Sequence, residues 1–253
     1  MTLLLGVAMV GCNDDNGGGG NTGPAGASPN LGTASTYGIF ASAAAVTLAA
    51  DALVNGDVGL NPAGACNNCV VDTTIIGGVI HNGDQPAIDA QIAIQAAYDE
   101  ASVRSTNACP VSGDLIAAQA ACTGYTPSTP GPVYGPGLYR TATTITLSGT
   151  MTLDAGGNPN AVFIFQTDAA LTTGSTSTVL LAGNAQAKNV WWIVGSAATL
   201  GVSSDFKGTV IANGAAVQVL GGTTLDRTLV EGRLFSLSAG AGVDEFATVT
   251  VPQ

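Results

Sequence analysis

The chain has 253 residues, a net charge of −11, one His, and six Lys and Arg together. Charged residues are 9% of the total, against about 25% in an ordinary globular domain, and the 29 Thr outnumber the 23 charged residues of every kind. So acidic a chain, so poor in cations, is not built to hold nucleic acid, and its surface must consist largely of Thr, Ser, Ala, Gly and Asn.

Residues 1–11 form an apolar run that ends at Cys12. The run is shorter than the roughly 20 residues a membrane span needs and fits the apolar region of a signal peptide. Met9-Val10-Gly11-Cys12 resembles a bacterial lipobox, in which the Cys is lipidated and becomes the mature N-terminus; a truncated ordinary secretion signal is the alternative. Residues 13–30 are mostly Gly, Asn, Asp and Pro, a tether with almost nothing to bury. Residues 1–30 therefore read as signal and tether, and 31–253 as one domain. The protein is expected outside the cytoplasm, anchored by lipid at the cell envelope or secreted, with contact to a membrane only through that anchor.

Residues 31–62 are apolar and punctuated by Gly. Val54, Val58 and Leu60 are strand-like, and Asp57 reads as a turn residue. Four further Cys follow, at 66, 69, 109 and 122. An even count in an exported chain implies disulfides, with three possible connectivities. Cys66–Cys69 and Cys109–Cys122 are favoured, both closing short loops. A zinc site would need two more ligands at matching spacing, and His81 alone does not supply them, so neither metal nor cofactor is expected. Residues 84–104 are the one convincing helix. Asp84 can cap it, Pro86 falls in the first turn, where its missing N–H costs nothing, and no Gly or Pro interrupts the rest. Its small apolar residues suit a helix lying close against a flat surface.

From residue 137 a strand pattern returns, and from 189 to 253 it can be read in steps of nineteen. Trp191, Val210 and Leu229 then share one column, Trp192, Ile211 and Val230 a second, and Phe206 and Leu225 a third. Each step holds three short runs parted by Gly, Ser, Asn or Asp. That is one coil of a three-faced β-solenoid, whose inner face is buried only by stacking on its neighbour. The expected fold is mostly β: a right-handed, discontinuous solenoid with the helix packed alongside. An antiparallel sandwich of short strands is the alternative.

L-G-T-A-S-T-Y-G-I-F-A-S at 31–42, N-G-D-V-G-L-N-P at 55–62, P-G-L-Y at 136–139, V-F-I-F-Q at 162–166, A-Q-A-K-N-V-W-W at 185–192 and F-K-G-T-V-I-A at 206–212 follow one another as in a known family. In these motifs and in the place of its helix the chain resembles the microbial ice-binding proteins that have a discontinuous β-solenoid with one long helix beside it. The resemblance implies adsorption to ice through one flat solenoid face and inhibition of ice growth, with no catalysis. It also implies a T-(A/G)-x-(T/N) motif near the turn into the third strand, which Thr173-Gly174-Ser175-Thr176 matches. Ser203-Ser204 and Thr223-Thr224 hold the equivalent places in later coils, so the expected ice-binding residues are Thr173, Thr176, Ser203, Ser204, Thr223 and Thr224. Thr199, Gln218 and Ser236 mark a neighbouring face as the runner-up. The protein is expected to be a monomer.

Two other classes compete. A cell-surface or matrix adhesin could use the same long faces, but there are only 13 aromatics, and Trp191, Trp192, Phe163 and Phe165 lie in core-like runs. A β-helix lyase or hydrolase would need paired carboxylates or a basic cluster in a groove, whereas the acids here fall mostly in turns and the bases are scattered.

Overall fold

The computed structural model describes residues 25–111, 113–116 and 132–253. Among these residues the protein is mostly β, with one α-helix, and every strand pairing is parallel. The strands build three ladders. The first contains Cys109–Pro110, Gly137–Thr141, Phe163–Thr167, Val190–Val194, the later halves of Asp205–Ala212 and Thr228–Ser236, then Tyr37–Ala41, Asp57–Leu60 and Ile80–Asn82. The second is a separate seven-stranded sheet, running Ile145–Leu147, Leu171–Thr173, Ala198–Leu200, Val217–Val219, Ala241–Val243, Val46–Leu48, Cys66–Asn67. The third joins Val133–Tyr134, Thr150–Asp154, Thr178–Ala182, the earlier halves of the two long strands, Ala247–Thr250, Leu53–Asn55 and Ile75–Ile76. The long strands turn from the third ladder into the first at Gly208 and Gly232. These two pair with each other, and a Cβ on Gly232 would lie 1.9 Å from the Gly208 carbonyl oxygen, so no other residue fits the bend.

Sequence order and stacking order differ. The early strands Tyr37–Ala41 and Val46–Leu48 sit on the late strands Thr228–Ser236 and Ala241–Val243. Cys109–Pro110 resumes at the far end of the first ladder, and helix α1 (Gln85–Ser102) carries the chain there. At 18 residues it is about 27 Å long, enough to cross about five ladder spacings of roughly 4.8 Å. Its start is as the sequence implies. Asp84 accepts from the Ala87 N–H at 3.0 Å, and Pro86 stands in the first turn.

Alternation along the first ladder feeds two cores. Inward, Tyr139, Phe165 and Trp192 stack, with centroids 5.0 Å and then 4.4 Å apart, and Phe206 closes the row at 5.0 Å from Trp192. Outward, Leu138, Ile164, Trp191, Ile193, Ile211, Phe235 and Phe40 pack beneath Ala87, Ala90, Ile94, Ala97 and Ala101 of α1. Small residues at this spacing let the helix axis lie close to the sheet, which is why its apolar surface is Ala-rich.

The nineteen-residue step is not the true register. Trp192 pairs with Val210, Val210 with Leu234, and Phe206 with Val230, so successive coils advance by different amounts. Only the strands have to stack; the corners absorb the difference, most visibly in the longer turn over residues 221–227. As a result Leu229 pairs with Asp205 on the outside of the third ladder and is 44% exposed, and Leu225 in the turn is 98% exposed. The nineteen-residue columns place Leu229 with Trp191 and Val210, within or bordering the core, and Leu225 with the buried Phe206, and neither placement holds. Trp191, Ile193, Val210 and Ile211 are buried.

Cys66 and Cys69 form a disulfide at the end of the seven-stranded sheet. Cys109 is disulfide-bonded as well, and its expected partner Cys122 lies outside the described residues, as does Cys12.

Candidate functional site

Each strand of the seven-stranded sheet has three residues or fewer, with the outer two turned to the core and the middle one turned out. Ile145, Leu171, Ala198, Val217, Ala241 and Val46 line the interior on one side. Leu147, Leu200, Val219, Val243 and Leu48 do so on the other. Between them runs one outward file in register: Thr146, Thr172, Thr199, Gln218, Gly242, Thr47, Asn67. Buried neighbours on both sides fix each strand, so the file is straight, and its steps are the strand spacing of about 4.8 Å. It contains no charged side chain.

The other two ladders present different surfaces. The first is covered by α1. The third carries Lys207 with its ammonium 2.8 Å from Asp205 and 3.4 Å from Glu231, beside the exposed Leu180 and Leu229. Among the described residues the seven-stranded sheet is thus the uncovered face, with an outward file that is uncharged over its seven strands and ends beside Asp114, which bridges to Thr146.

The residues expected from the T-(A/G)-x-(T/N) motif fall on the corner between the second and third ladders, and they divide. Thr173 is buried at the inner end of its strand, and its hydroxyl accepts from the Gly201 N–H at 2.7 Å. Ser204 is buried and donates to the Gly201 carbonyl at 2.7 Å, as Ser177 does to Gly174 at 2.8 Å one coil earlier. These two expected contact residues are corrected to corner locks: the tight turn at Gly201 leaves both its N–H and its carbonyl without a ladder partner, and the Thr173 hydroxyl accepts from the one while the Ser204 hydroxyl donates to the other. Thr176, Thr223 and Thr224 are exposed and Ser203 is half-buried. Thr176 and Ser203 both have left-handed backbone, with φ of 59° and 55°. Ser203 donates to the Asp226 carbonyl at 3.0 Å. Thr223 and Asp226 bond each other across the longer turn, at 2.9 and 3.0 Å, so the Thr223 hydroxyl is engaged within the turn.

Of the runner-up set, Thr199 and Gln218 lie in the outward file. Ser236 does not: it is fully buried, donating to the Ala215 carbonyl at 3.1 Å. Thr47, Thr146, Thr172 and Asn67 were missed. A usable signal was present, a Thr between apolar neighbours in V-T-L at 46–48, I-T-L at 145–147 and A-T-L at 198–200.

Stacked parallel strands carrying a flat, uncharged, Thr-lined face define a module that meets a surface broadly rather than enclosing a small molecule. The chain belongs to the ice-binding-like family, whose model matches residues 39–244. It is 30% identical over 182 residues to an ice-binding protein of Nostoc sp. (strain HG1), covering 72% of this chain and 61% of that one. It is 37% identical over 110 residues to ice-binding protein 1 of Shewanella frigidimarina (strain NCIMB 400), covering 43% of this chain and 12% of that one. The chain thus spans less than two thirds of either relative. Among solved structures, an ice-binding protein from an Antarctic biological consortium superposes with a TM-score of 0.75 at 29% identity, covering 89% of this chain and 92% of that one.

Proposed function

We propose that this protein adsorbs to the surface of ice and inhibits its growth and recrystallisation, through the outward file Thr146, Thr172, Thr199, Gln218, Thr47 and the strands that carry it. The observation that carries the reading is the file itself, one uncharged residue per strand in unbroken register. Thr methyls at a spacing of about 4.8 Å discourage ordinary hydration, and the hydroxyls between them hold water in fixed places. A rigid face orders little further protein on binding. Adsorbed molecules make ice grow as curved bulges between them, which lowers the local freezing point. The chemistry is binding alone, with no covalent step.

The three ladders are then the faces of a right-handed, discontinuous β-solenoid, with the early strands set on the last coil and α1 along one face. The exposed Thr176, Thr223 and Thr224 flank the flat face, and we assign them a secondary contact. A lipid anchor at Cys12 would hold a monomeric domain at the cell envelope; residues 25–30, expected as part of the tether, instead pack on the body, where Arg104 donates to the Ala25 and Ala27 carbonyls, Trp191 donates to the Ser28 hydroxyl and Ala25 is buried.

The test is the purified domain added to a growing ice crystal under a microscope. Faceting and arrested growth within a temperature gap support the reading. Unshaped, freely growing ice overturns it in favour of an adhesin built on the same face.

A further inference from the structure

The Thr file is interrupted at its centre by Gln218 and Gly242, which pair with each other, and the interruption is constructed. A Cβ placed on Gly242 would lie 2.2 Å from Gln218 Oε1, 2.9 Å from its Cδ and 3.0 Å from its Nε2. The Gln218 side chain therefore does not stand out from the sheet. It lies down along the file and occupies the space the Gly242 side chain would fill, which is why Gly242 is buried at an outward position. Two groups hold it there. The Nε2 donates to Asp244 Oδ1 at 2.8 Å, and more weakly to the Val219 carbonyl at 3.4 Å. Asp244 in turn is fixed by its own backbone N–H, which donates to the Val219 carbonyl at 3.0 Å.

We infer that Gln218 is a contact residue of the face, its amide serving as a plate that bridges two strands, and that Asp244 is the positioning residue that keeps this plate level. Without the plate, Gly242 would leave a pit one side chain deep between Thr199 and Thr47. With Gln218 upright, a side chain longer than its Thr neighbours would hold the lattice off. Lying flat and pinned, with its N–H groups turned to Asp244 and the Val219 carbonyl, it continues the face from Thr199 to Thr47 and leaves its carbonyl oxygen to accept from ice in place of one hydroxyl per strand. The ligand is the ordered water of an ice surface, so the inference rests on the proposed function. It adds that the face works as one continuous plane over all seven strands rather than as two short Thr patches.

The experiment compares freezing-point depression and ice-crystal shape for the wild type and five variants. Asp244→Ala frees the amide, and Gly242→Ala expels it. Asp244→Asn keeps an acceptor oxygen for it. Gln218→Thr with Gly242→Thr rebuilds the hydroxyl file. Thr172→Tyr, far from the plate, obstructs the face itself. Asp244→Ala and Gly242→Ala are expected to lower activity about fivefold, the scale of one ordinary hydrogen bond, and to change the crystal habit. Asp244→Asn and the double Thr variant are expected to retain activity. Because Asp244→Ala could loosen its turn, thermal unfolding is followed in parallel; Gly242→Ala and the Asn rescue separate a tilted plate from a weakened fold. If Thr172→Tyr abolishes activity while Asp244→Ala and Gly242→Ala keep it whole, the plate is overturned and the face stands. If Thr172→Tyr is fully active, the face reading falls and the plate with it.

Discussion

Leu48 lies beside Val243 in parallel register, both fully or almost fully buried, although one belongs to the second strand of the chain and the other to nearly its last. The early segment thus has no core of its own. Its inner side chains are covered by the final coil, so its stability is expected to depend on that coil. A double-mutant cycle should show this directly. Leu48→Ala and Val243→Ala should each destabilise, and residues in contact couple by about 0.5–3 kcal/mol. Urea unfolding that gives strictly additive losses would mean the early segment is a separate unit.

The sequence shows the elements better than their register. The helix, its Asp84 cap and its Pro86 are legible because capping and Pro placement are local chemistry. The inward Phe163, Phe165 and Trp192 are legible as core residues because they fall in uninterrupted apolar runs. Register was not legible: stacking requires only that Trp192 reach Val210 and Phe206 reach Val230, and it is indifferent to the number of corner residues between them. The expected site was half legible for a related reason. A Thr or Ser on a corner looks the same in sequence whether its hydroxyl faces water, like Thr176, or a buried carbonyl, like Ser204. Apolar flanks mark a Thr as outward-pointing, because a Thr held between two core residues has only one direction to point, but they do not say on which ladder: Thr152, between the buried Met151 and Leu153, lies on the third.

High pH should unfold this protein through its phenols. Burial, with Asp57 adding to it, pushes Tyr37 well above its ordinary value of 10.0; burial does the same to Tyr134 and Tyr98. A raised folded value means the unfolded chain releases protons first. The stability is whole below about pH 10 and is lost as pH rises further. Arg233 works in the opposite direction. Burial lowers it to about 10, its partners being the neutral Ser35 carbonyl and Thr209 hydroxyl. Its unfolded form therefore keeps the proton longer, and its contribution grows over the same range. Three phenols outweigh one guanidinium, so urea midpoints should fall above about pH 10. A midpoint that stays level or rises would contradict this.

Tyr37→Phe isolates one of those phenols. Its hydroxyl is buried without a hydrogen-bond partner among the described residues, so removing it should leave stability at neutral pH unchanged or raise it by about 1 kcal/mol. The same change should flatten the alkaline loss. Tyr134→Phe should instead cost about 1 kcal/mol, because its hydroxyl donates to the Leu115 carbonyl at 2.6 Å. Equal effects from the two substitutions would show that the Tyr37 hydroxyl has a partner in solution.

Cys12→Ala should move the expressed protein from the membrane to the soluble fraction, since one lipidated terminus bearing two or more acyl chains suffices for stable anchoring. Retention at the membrane would rule out the lipid anchor. Peptide mapping of the exported protein without reduction should recover Cys109 joined to Cys122; a peptide joining Cys109 to Cys12 would remove both expectations together.

The face is tested by obstruction. Tyr at Thr172 or Thr199 would stand above a plane otherwise made of hydroxyls, methyls and one flattened amide, and hold the lattice away along the whole file. Both positions point outward from strands whose neighbouring residues are buried, so unfolding should shift by no more than about 0.5 kcal/mol while most of the freezing-point depression disappears. Tyr at Thr176 or Thr224 adds bulk on the corner, out of the plane, and should leave the larger part of the activity. Thr173→Val and Ser204→Ala probe the two buried corner hydroxyls and should behave in the reverse way. Each leaves a backbone group of Gly201 unpaired at a cost of about 1–3 kcal/mol, so each should lower the unfolding midpoint first and affect ice binding only as the corner loosens. The order of losses decides between the two surfaces. If Thr176→Tyr and Thr224→Tyr abolish activity and Thr172→Tyr and Thr199→Tyr preserve it, ice is bound by the corner, and the flat file is simply the outside of a sheet.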